Sequence, residues 1–125
     1  MPNLLLIMLG GALGAGLRYH VGRLALHLLG PAFPWGTWLI NLGGSLMMGL
    51  LAGIVLRQGA PGEPLLLFAG VGLLGGFTTF SGFSLEMVQM LQRGEAVLAA
   101  AYAVSSVAGS VMLLILGLWL AKAPA

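Results

Sequence analysis

The side chains best suited to chemistry are neutral hydrogen-bonding groups that recur every four residues in two apolar stretches. They are Thr37, Asn41 and Ser45 in the first stretch, and Tyr102, Ser106 and Ser110 in the second. Residues four apart share a helix face, so each set predicts a polar stripe. A single Ser or Thr in a membrane helix usually bonds to its own helix or to a neighbour. Two stripes of matched spacing favour a polar track, and donors without a carboxylate suit an anion better than a metal cation.

A second chemical feature is the stretch 75–83, Gly-Gly-Phe-Thr-Thr-Phe-Ser-Gly-Phe. Paired glycines and paired β-branched threonines disfavour a continuous helix, although the flanking residues 65–74 and 85–91 suit one. A helix interrupted at membrane depth leaves backbone groups unpaired, which is tolerated only inside protein or beside a polar cavity. The stretch therefore predicts a site. Freed carbonyls near Gly75 and Thr78 are the kind of ligand that coordinates Na⁺.

Two aromatic residues follow this interruption. Phe80 and Phe83 are three apart and share one face of the helix that follows. Aromatic rings are electropositive at their edges, so rings turned edge-on can stabilise a small anion. Packing against lipid or protein is the alternative interpretation of the same spacing.

The composition predicts a membrane protein. Hydrophobic residues make up 59% of the 125 residues and charged residues only 6%, against about a quarter charged in soluble domains. The excess of two positive charges is too small to predict a nucleic-acid surface. Without cysteine, disulfides and thiolate metal sites are excluded.

Four helical spans fit the sequence, at about 20 residues for each crossing. We expect them at roughly 3–28, 35–57, 65–91 and 96–121, in one domain over 1–125. Turn residues form three joints between them, the first at 30–34, the second at 58–64 and the third at 92–95. The first apolar stretch has no basic segment before it and continues into a full span, so we interpret it as a retained helix rather than a signal peptide. Glycine pairs four apart within the first three spans predict close helix packing.

The charges do not specify one orientation in the membrane. With four spans, Arg57 and Lys122 lie on one side, and Arg23 and Arg93 on the other. The positive-inside rule needs an excess on one side. The balance leads to the hypothesis that copies insert both ways and assemble as an antiparallel pair.

Two charged side chains lie inside predicted spans. Arg18 is about three-quarters of the way across the first helix, where it either snorkels to the interface or binds an anion in a vestibule. Glu86 lies within the third span, where we expect it to pair with an arginine or face water. The sequence shows no Ser–His–acid set, paired carboxylates or phosphate loop, so we expect no enzyme.

These motifs together resemble the Fluc (also called CrcB) fluoride channels of bacteria, over the whole chain. The resemblance is carried by 10–15 with Arg18 and Tyr19, by 36–41 with Gly44, Ser45 and Gly49, and by 75–81 with Phe83 and Glu86. It implies a passive, fluoride-selective channel that exports toxic fluoride through the bacterial cytoplasmic membrane. It also implies an all-α, antiparallel (dual-topology) homodimer with two pores and a third helix broken mid-membrane.

The resemblance also assigns roles to residues. It implies that Phe80 and Phe83 face fluoride edge-on and that Asn41 is a pore asparagine. It implies an anion pathway completed by Thr79, Ser81, Tyr102, Ser106 and Ser110. The carbonyls of Gly75 and Thr78 would hold a structural Na⁺ at the dimer centre, and Arg18 matches the first-helix arginine of the vestibule.

Two other functions compete with the channel. A small dual-topology, proton-coupled drug exporter needs a carboxylate in its first helix to bind a cation and a proton in turn, and none is present there. A structural membrane subunit has no reason to interrupt a span.

Overall fold

The computed structural model describes residues 2–58 and 63–122. The helices are α1 (Asn3–Leu29), α2 (Trp35–Gln58), α3 (residues 63–77), α4 (Phe80–Gln92) and α5 (Ala96–Lys122). Four helical segments are long and apolar enough to cross a membrane, with α3 and α4 forming one of them, Glu63–Gln92. The prediction of an all-α protein with four membrane-spanning helices is thereby confirmed.

Glycines end two of the helices. Gly30 takes a positive φ of 81° and donates its N–H to the carbonyl of Leu26 at 3.0 Å, which closes α1. Gly94 takes a φ of 78° in the turn between α4 and α5. Glycine adopts this left-handed conformation without a steric cost. Part of the second predicted joint, residues 59–62, lies outside the described residues.

The backbone of α3 is not a uniform α-helix. Leu66–Leu74 forms a π-helix between short α-helical turns, Glu63–Leu65 and Gly75–Phe77. Thr78 and Thr79 are then extended, with φ, ψ of −81°, 157° and −149°, 121°. Gly75, where the predicted break begins, remains helical, and only Thr78 and Thr79 leave the helix. We call these two extended residues the interruption.

Glycines bring α1 and α3 into backbone contact. A Cβ on Gly14 would overlap the carbonyl oxygen of Leu73 and lie 2.8 Å from the amide nitrogen of Phe77. A Cβ on Gly72 would lie 2.8 Å from the carbonyl oxygen of Ile7. Because no side chain fits between the helices, their backbones are in direct contact, as the glycine spacing predicted.

The pairing of α2 with α5 is the most extensive helix contact in the described chain. A Cβ on Gly49 would overlap the carbonyl oxygen of Leu114, so the backbones meet there without side chains between them. Towards the first joint, Tyr102 of α5 and Met90 of α4 are the two largest fully buried side chains among the described residues. The candidate site lies between these two regions.

Candidate functional site

A cavity of about 330 Å³ lies where α2, α4 and α5 meet the interruption. Its lining residues are Asn41, Gly44, Ser45, Met48, Thr78, Thr79, Phe80, Phe83, Ser106, Val107, Ser110, Val111 and Leu114. The structure thus brings together most of the predicted anion pathway. Ser81 and Tyr102 are the predicted pathway residues that do not line it.

Asn41 holds the interruption in place through both atoms of its amide. Its Nδ2 donates to the carbonyl of Thr79 at 2.9 Å, and its Oδ1 accepts the N–H of Thr79 at 2.8 Å. An amide can pair with an extended residue in this two-point way because its donor and acceptor lie side by side. One Nδ2 hydrogen remains for a further acceptor. Sequence reasoning found Asn41 by its stripe but gave no sign of this clamp.

Thr79 caps the helix that follows the interruption. Its hydroxyl oxygen accepts the N–H of Gly82 at 3.0 Å, which is the usual N-cap arrangement. The exposed hydroxyl of Ser81 lies 3.3 Å from the same oxygen. Ser81 therefore contacts the cap rather than the cavity.

These bonds redirect two amide donors that a continuous helix would use. The N–H of Thr79, the helical partner of the Gly75 carbonyl, bonds to Asn41 instead. The N–H of Gly82, the helical partner of the Thr78 carbonyl, bonds to the Thr79 hydroxyl. The two carbonyls predicted to bind a cation have thus lost their α-helical donors.

Phe80 and Phe83 lie at one side of the cavity. Their ring centroids are 5.6 Å apart with an interplanar angle of 40°. Phe83 also packs on Tyr102 with centroids 5.0 Å apart. Phe80 is 77% exposed in the single chain, so its ring is not held by the described residues alone.

Ser106 has the most unusual environment among the lining side chains. It is only 6% exposed, and its hydroxyl has no hydrogen-bond partner within residues 2–58 and 63–122. An unpaired buried hydroxyl costs about 1–3 kcal/mol. Its neighbour Ser105 differs, since it accepts the indole N–H of Trp38 at 3.0 Å and donates to the carbonyl of Tyr102 at 3.3 Å.

Tyr102 is fully buried, and its hydroxyl donates to Glu86 Oε1 at 3.2 Å. Glu86 in turn lines a second cavity of about 260 Å³ beside the first joint, together with Thr37 and Arg93. The contact with Tyr102 was not foreseen, since tyrosine and glutamate are 16 residues apart in sequence. The one sequence signal for this contact is that Tyr102 and Glu86 lie at similar depths in consecutive spans.

Arg18 does not line the cavity. Its Nε donates to the carbonyl of Gly76 at 3.1 Å, across the contact between α1 and α3. The guanidinium therefore lies beside the interrupted segment, on its α1 side.

Several lining residues were not predicted. Leu114 follows Ser110 by four residues, and Val107 and Val111 form a parallel row on the same helix. Extending the four-residue spacing by one turn would have found Leu114. Met48 stands four after Gly44 on α2 and is found in the same way.

The electrostatics of the cavity are simple. No charged side chain lines it among the described residues, and its polar groups are hydroxyls and one amide. Since Thr79 and Phe80 line it, the N-terminal end of α4 lies at its wall, where helix dipoles favour negative charge. A largely apolar cavity that holds neutral hydroxyl and amide groups, in a chain with four helices apolar enough to cross a membrane, indicates a small membrane protein.

Comparison with known proteins agrees with that class. The family model described as CrcB-like protein, Camphor Resistance (CrcB), matches residues 5–118. The fluoride-specific ion channel FluC of Novosphingobium aromaticivorans is 56% identical over 114 residues, 90% of each chain. The FluC proteins of Sphingopyxis alaskensis (51% over 112 residues, 90% and 89% of the chains) and Mesorhizobium japonicum (48% over 122 residues, 98% of each) are similar over the same region. The chain belongs to the CrcB family.

Proposed function

We propose that this protein is a passive fluoride-selective channel that exports toxic fluoride from the cytoplasm. The observation that carries the proposal is the hydroxyl of Ser106, which is buried and unpaired among the described residues at the wall of a cavity that those residues line without any charged side chain. A buried hydroxyl without a permanent partner can donate a hydrogen bond to an ion that passes through the cavity. The relatives at 48–56% identity bear the name fluoride-specific ion channel, which indicates fluoride as this acceptor.

The chemistry of the cavity fits an anion that holds its water tightly. Such an ion crosses only if many partial donors replace its water, and a full positive charge would trap it. Hydroxyls of Ser106 and Ser110, the spare Nδ2 hydrogen of Asn41 and the ring edges of Phe80 and Phe83 are partial donors of this kind. The positive end of α4 adds to them without a mobile charge.

The interruption also fits a structural Na⁺, for which the carbonyls of Gly75 and Thr78 would be ligands. Both carbonyls lack their α-helical donors, because the corresponding amides bond to side chains. Carbonyl oxygens of interrupted helices are suitable ligands for Na⁺. We propose that the third span is broken near the middle of the membrane, and the ion would supply a fixed positive charge there.

We further propose an antiparallel homodimer. The basic residues at the two ends of the bundle are balanced, with Arg57 and Lys122 at one end and Arg23 and Arg93 at the other. Phe80, at the cavity and 77% exposed, would be covered by the second copy. Tags on the terminus should be accessible from both sides of sealed membranes; access from one side alone would contradict this arrangement.

We propose that the protein acts in the bacterial cytoplasmic membrane, which the chain crosses several times. Four apolar helices and the bacterial source of the relatives support it. The exporter alternative is not favoured, since α1 carries no carboxylate. Conduction itself requires no covalent chemistry and therefore no enzyme.

Growth in fluoride tests the proposed function. A bacterial strain without its own fluoride exit route should grow in fluoride when it expresses this chain. It should not grow with Asn41→Asp at equal membrane abundance. No rescue by the unmodified protein, present in the membrane and folded, would contradict the proposal.

A further inference from the structure

The outer face of α1 carries a polar cluster around one arginine, outside the proposed fluoride pathway. Tyr19, Arg23 and His27 are spaced four apart and lie on one exposed face of this helix. With Leu26 they line a cavity of about 470 Å³. We call these three residues the Arg23 cluster.

Arg23 is oriented by its neighbour one turn earlier. Its Nη1 donates to the hydroxyl oxygen of Tyr19 at 3.1 Å, and its guanidinium carbon lies 5.8 Å from the centre of that ring. A guanidinium carries five N–H donors, so four have no partner within residues 2–58 and 63–122. The Tyr19 hydroxyl can still donate its own hydrogen. The donors of the cluster therefore face a common space.

The depth of the cluster follows from the helix contact beside it. A Cβ on Gly36 would lie 3.0 Å from the Cα of Gly22 and 3.6 Å from the Cβ of Ala25. The first turn of α2, with Trp35 and Trp38, is thus level with residues 22–25 of α1. Tryptophans mark the headgroup layer of a membrane. The end of α1 that carries Arg23 is therefore expected near the lipid phosphates, level with Trp35 at the start of α2.

The described residues provide no carboxylate for Arg23. Within 2–58 and 63–122, the ion pair present is Arg93 with Glu95, at the turn between α4 and α5. Exposed leucines at 24, 26 and 28 surround the cluster, at 57%, 57% and 68% exposure. A cation among lipid-facing side chains needs an anion that the lipid layer can supply.

We propose that the Arg23 cluster binds the phosphate of an anionic phospholipid such as phosphatidylglycerol. Arginine binds phosphate oxygens with two parallel hydrogen bonds, and Tyr19 and His27 add donors on either side. Basic pockets on membrane helices bind anionic headgroups through the same chemistry. This site is independent of the fluoride cavity, so its failure would leave the proposed channel untouched.

Native mass spectrometry of the purified full chain tests the site, with palmitoyl-oleoyl phosphatidylglycerol and the zwitterionic phosphatidylcholine of the same chains titrated separately. We expect tighter binding of the phosphatidylglycerol, and about fivefold weaker binding of it in Arg23→Gln with no change for phosphatidylcholine. Arg57→Gln is the matched control, because it removes an exposed arginine at the opposite end of the bundle and should have no effect. If Arg23→Gln does not fold, His27→Gln replaces it with the same expected direction.

Three results would overturn the proposal. The first is equal binding of phosphatidylglycerol by the unmodified chain and Arg23→Gln, or an equal loss in Arg57→Gln. The second is displacement of the lipid by millimolar inorganic phosphate, which would make free phosphate the ligand. The third is a smaller dimer fraction in Arg23→Gln with unchanged lipid binding, which would make the cluster a contact between copies.

Discussion

The two sides of the interrupted third span are built differently. Towards α1, glycines such as Gly14 and Gly72 let backbone meet backbone, and no side chain fits between. Towards α2 and α5, Asn41, Phe83 and Ser106 line a cavity that contains neutral polar groups. Residue size therefore decides where the helices of this apolar chain touch and where a cavity remains between them.

Adding a side chain to the close contact between α1 and α3 should have the largest effect, and it should act on stability. In Gly14→Val the new side chain would overlap the backbone of Leu73 and force α1 and α3 apart. We expect a loss of about 3 kcal/mol or more, seen as little folded protein by size-exclusion chromatography after mild heating. Gly16→Val is the matched control, because a Cβ built there would have no described atom within 4 Å beyond its own turn of α1. Normal recovery of Gly14→Val would show that the contact is not tightly packed.

A charge placed in the cavity comes second. Asn41→Asp keeps the size of the side chain but loses the donor to the Thr79 carbonyl and adds a negative charge. Two like charges 4 Å apart repel by about 4 kcal/mol at an effective dielectric constant of 20. We expect fluoride efflux from liposomes to fall roughly a hundredfold or more.

The control for that charge is Gln92→Glu, at the exposed end of α4 and outside the cavity lining. It should conduct normally. Near-normal efflux through folded Asn41→Asp would show that Asn41 is not part of the pathway. Its role would then be limited to its hydrogen bonds with Thr79.

Removing a ring edge should have a smaller effect. Phe80→Ile keeps an apolar side chain at the cavity but loses the electropositive edge. We expect fluoride efflux to fall about tenfold or more, with unchanged elution of the folded protein. Phe68→Ile, outside the cavity lining, should keep normal efflux. Equal rates in the two variants would return Phe80 to a packing role.

Two adjacent serines give the finest comparison. Ser106→Ala removes the unpaired hydroxyl, so we expect efflux to fall about threefold to tenfold, the equivalent of one hydrogen bond, with no loss of stability. Ser105→Ala breaks the bonds to Trp38 and Tyr102, so it should lower stability by about 1–2 kcal/mol and leave efflux intact. Efflux and thermal unfolding of both variants are the measurements. The opposite pattern would place the pathway elsewhere.

The sequence predicts much of this arrangement because its signals are local. Apolar stretches predict four spans, and the helices observed lie within two residues of the expected bounds, as with Asn3–Leu29 against 3–28. The spacing of Asn41, Ser106 and Ser110 places them on faces that meet at one cavity. The role of each residue in conduction stays a prediction.

Other features depend on contacts between distant residues and could not be predicted. The clamp of Asn41 on Thr79 joins residues 38 apart, and the pairing of Tyr102 with Glu86 exists only after α4 packs on α5. The π-helix at Leu66–Leu74 has no marker in the residue pattern. The paired glycines likewise do not end the helix, and Gly76 instead lets α3 approach Gly11 of α1.

The central claim is that the cavity side of the third span conducts fluoride passively. The most direct test is release of fluoride from liposomes holding the purified protein, read with a fluoride electrode while valinomycin carries the compensating K⁺. Chloride release is measured in parallel, and no pH gradient is applied. We predict fast fluoride release with little chloride release. No fluoride release from folded protein in these liposomes, or release that begins only when a proton gradient is added in a separate run, would contradict the channel.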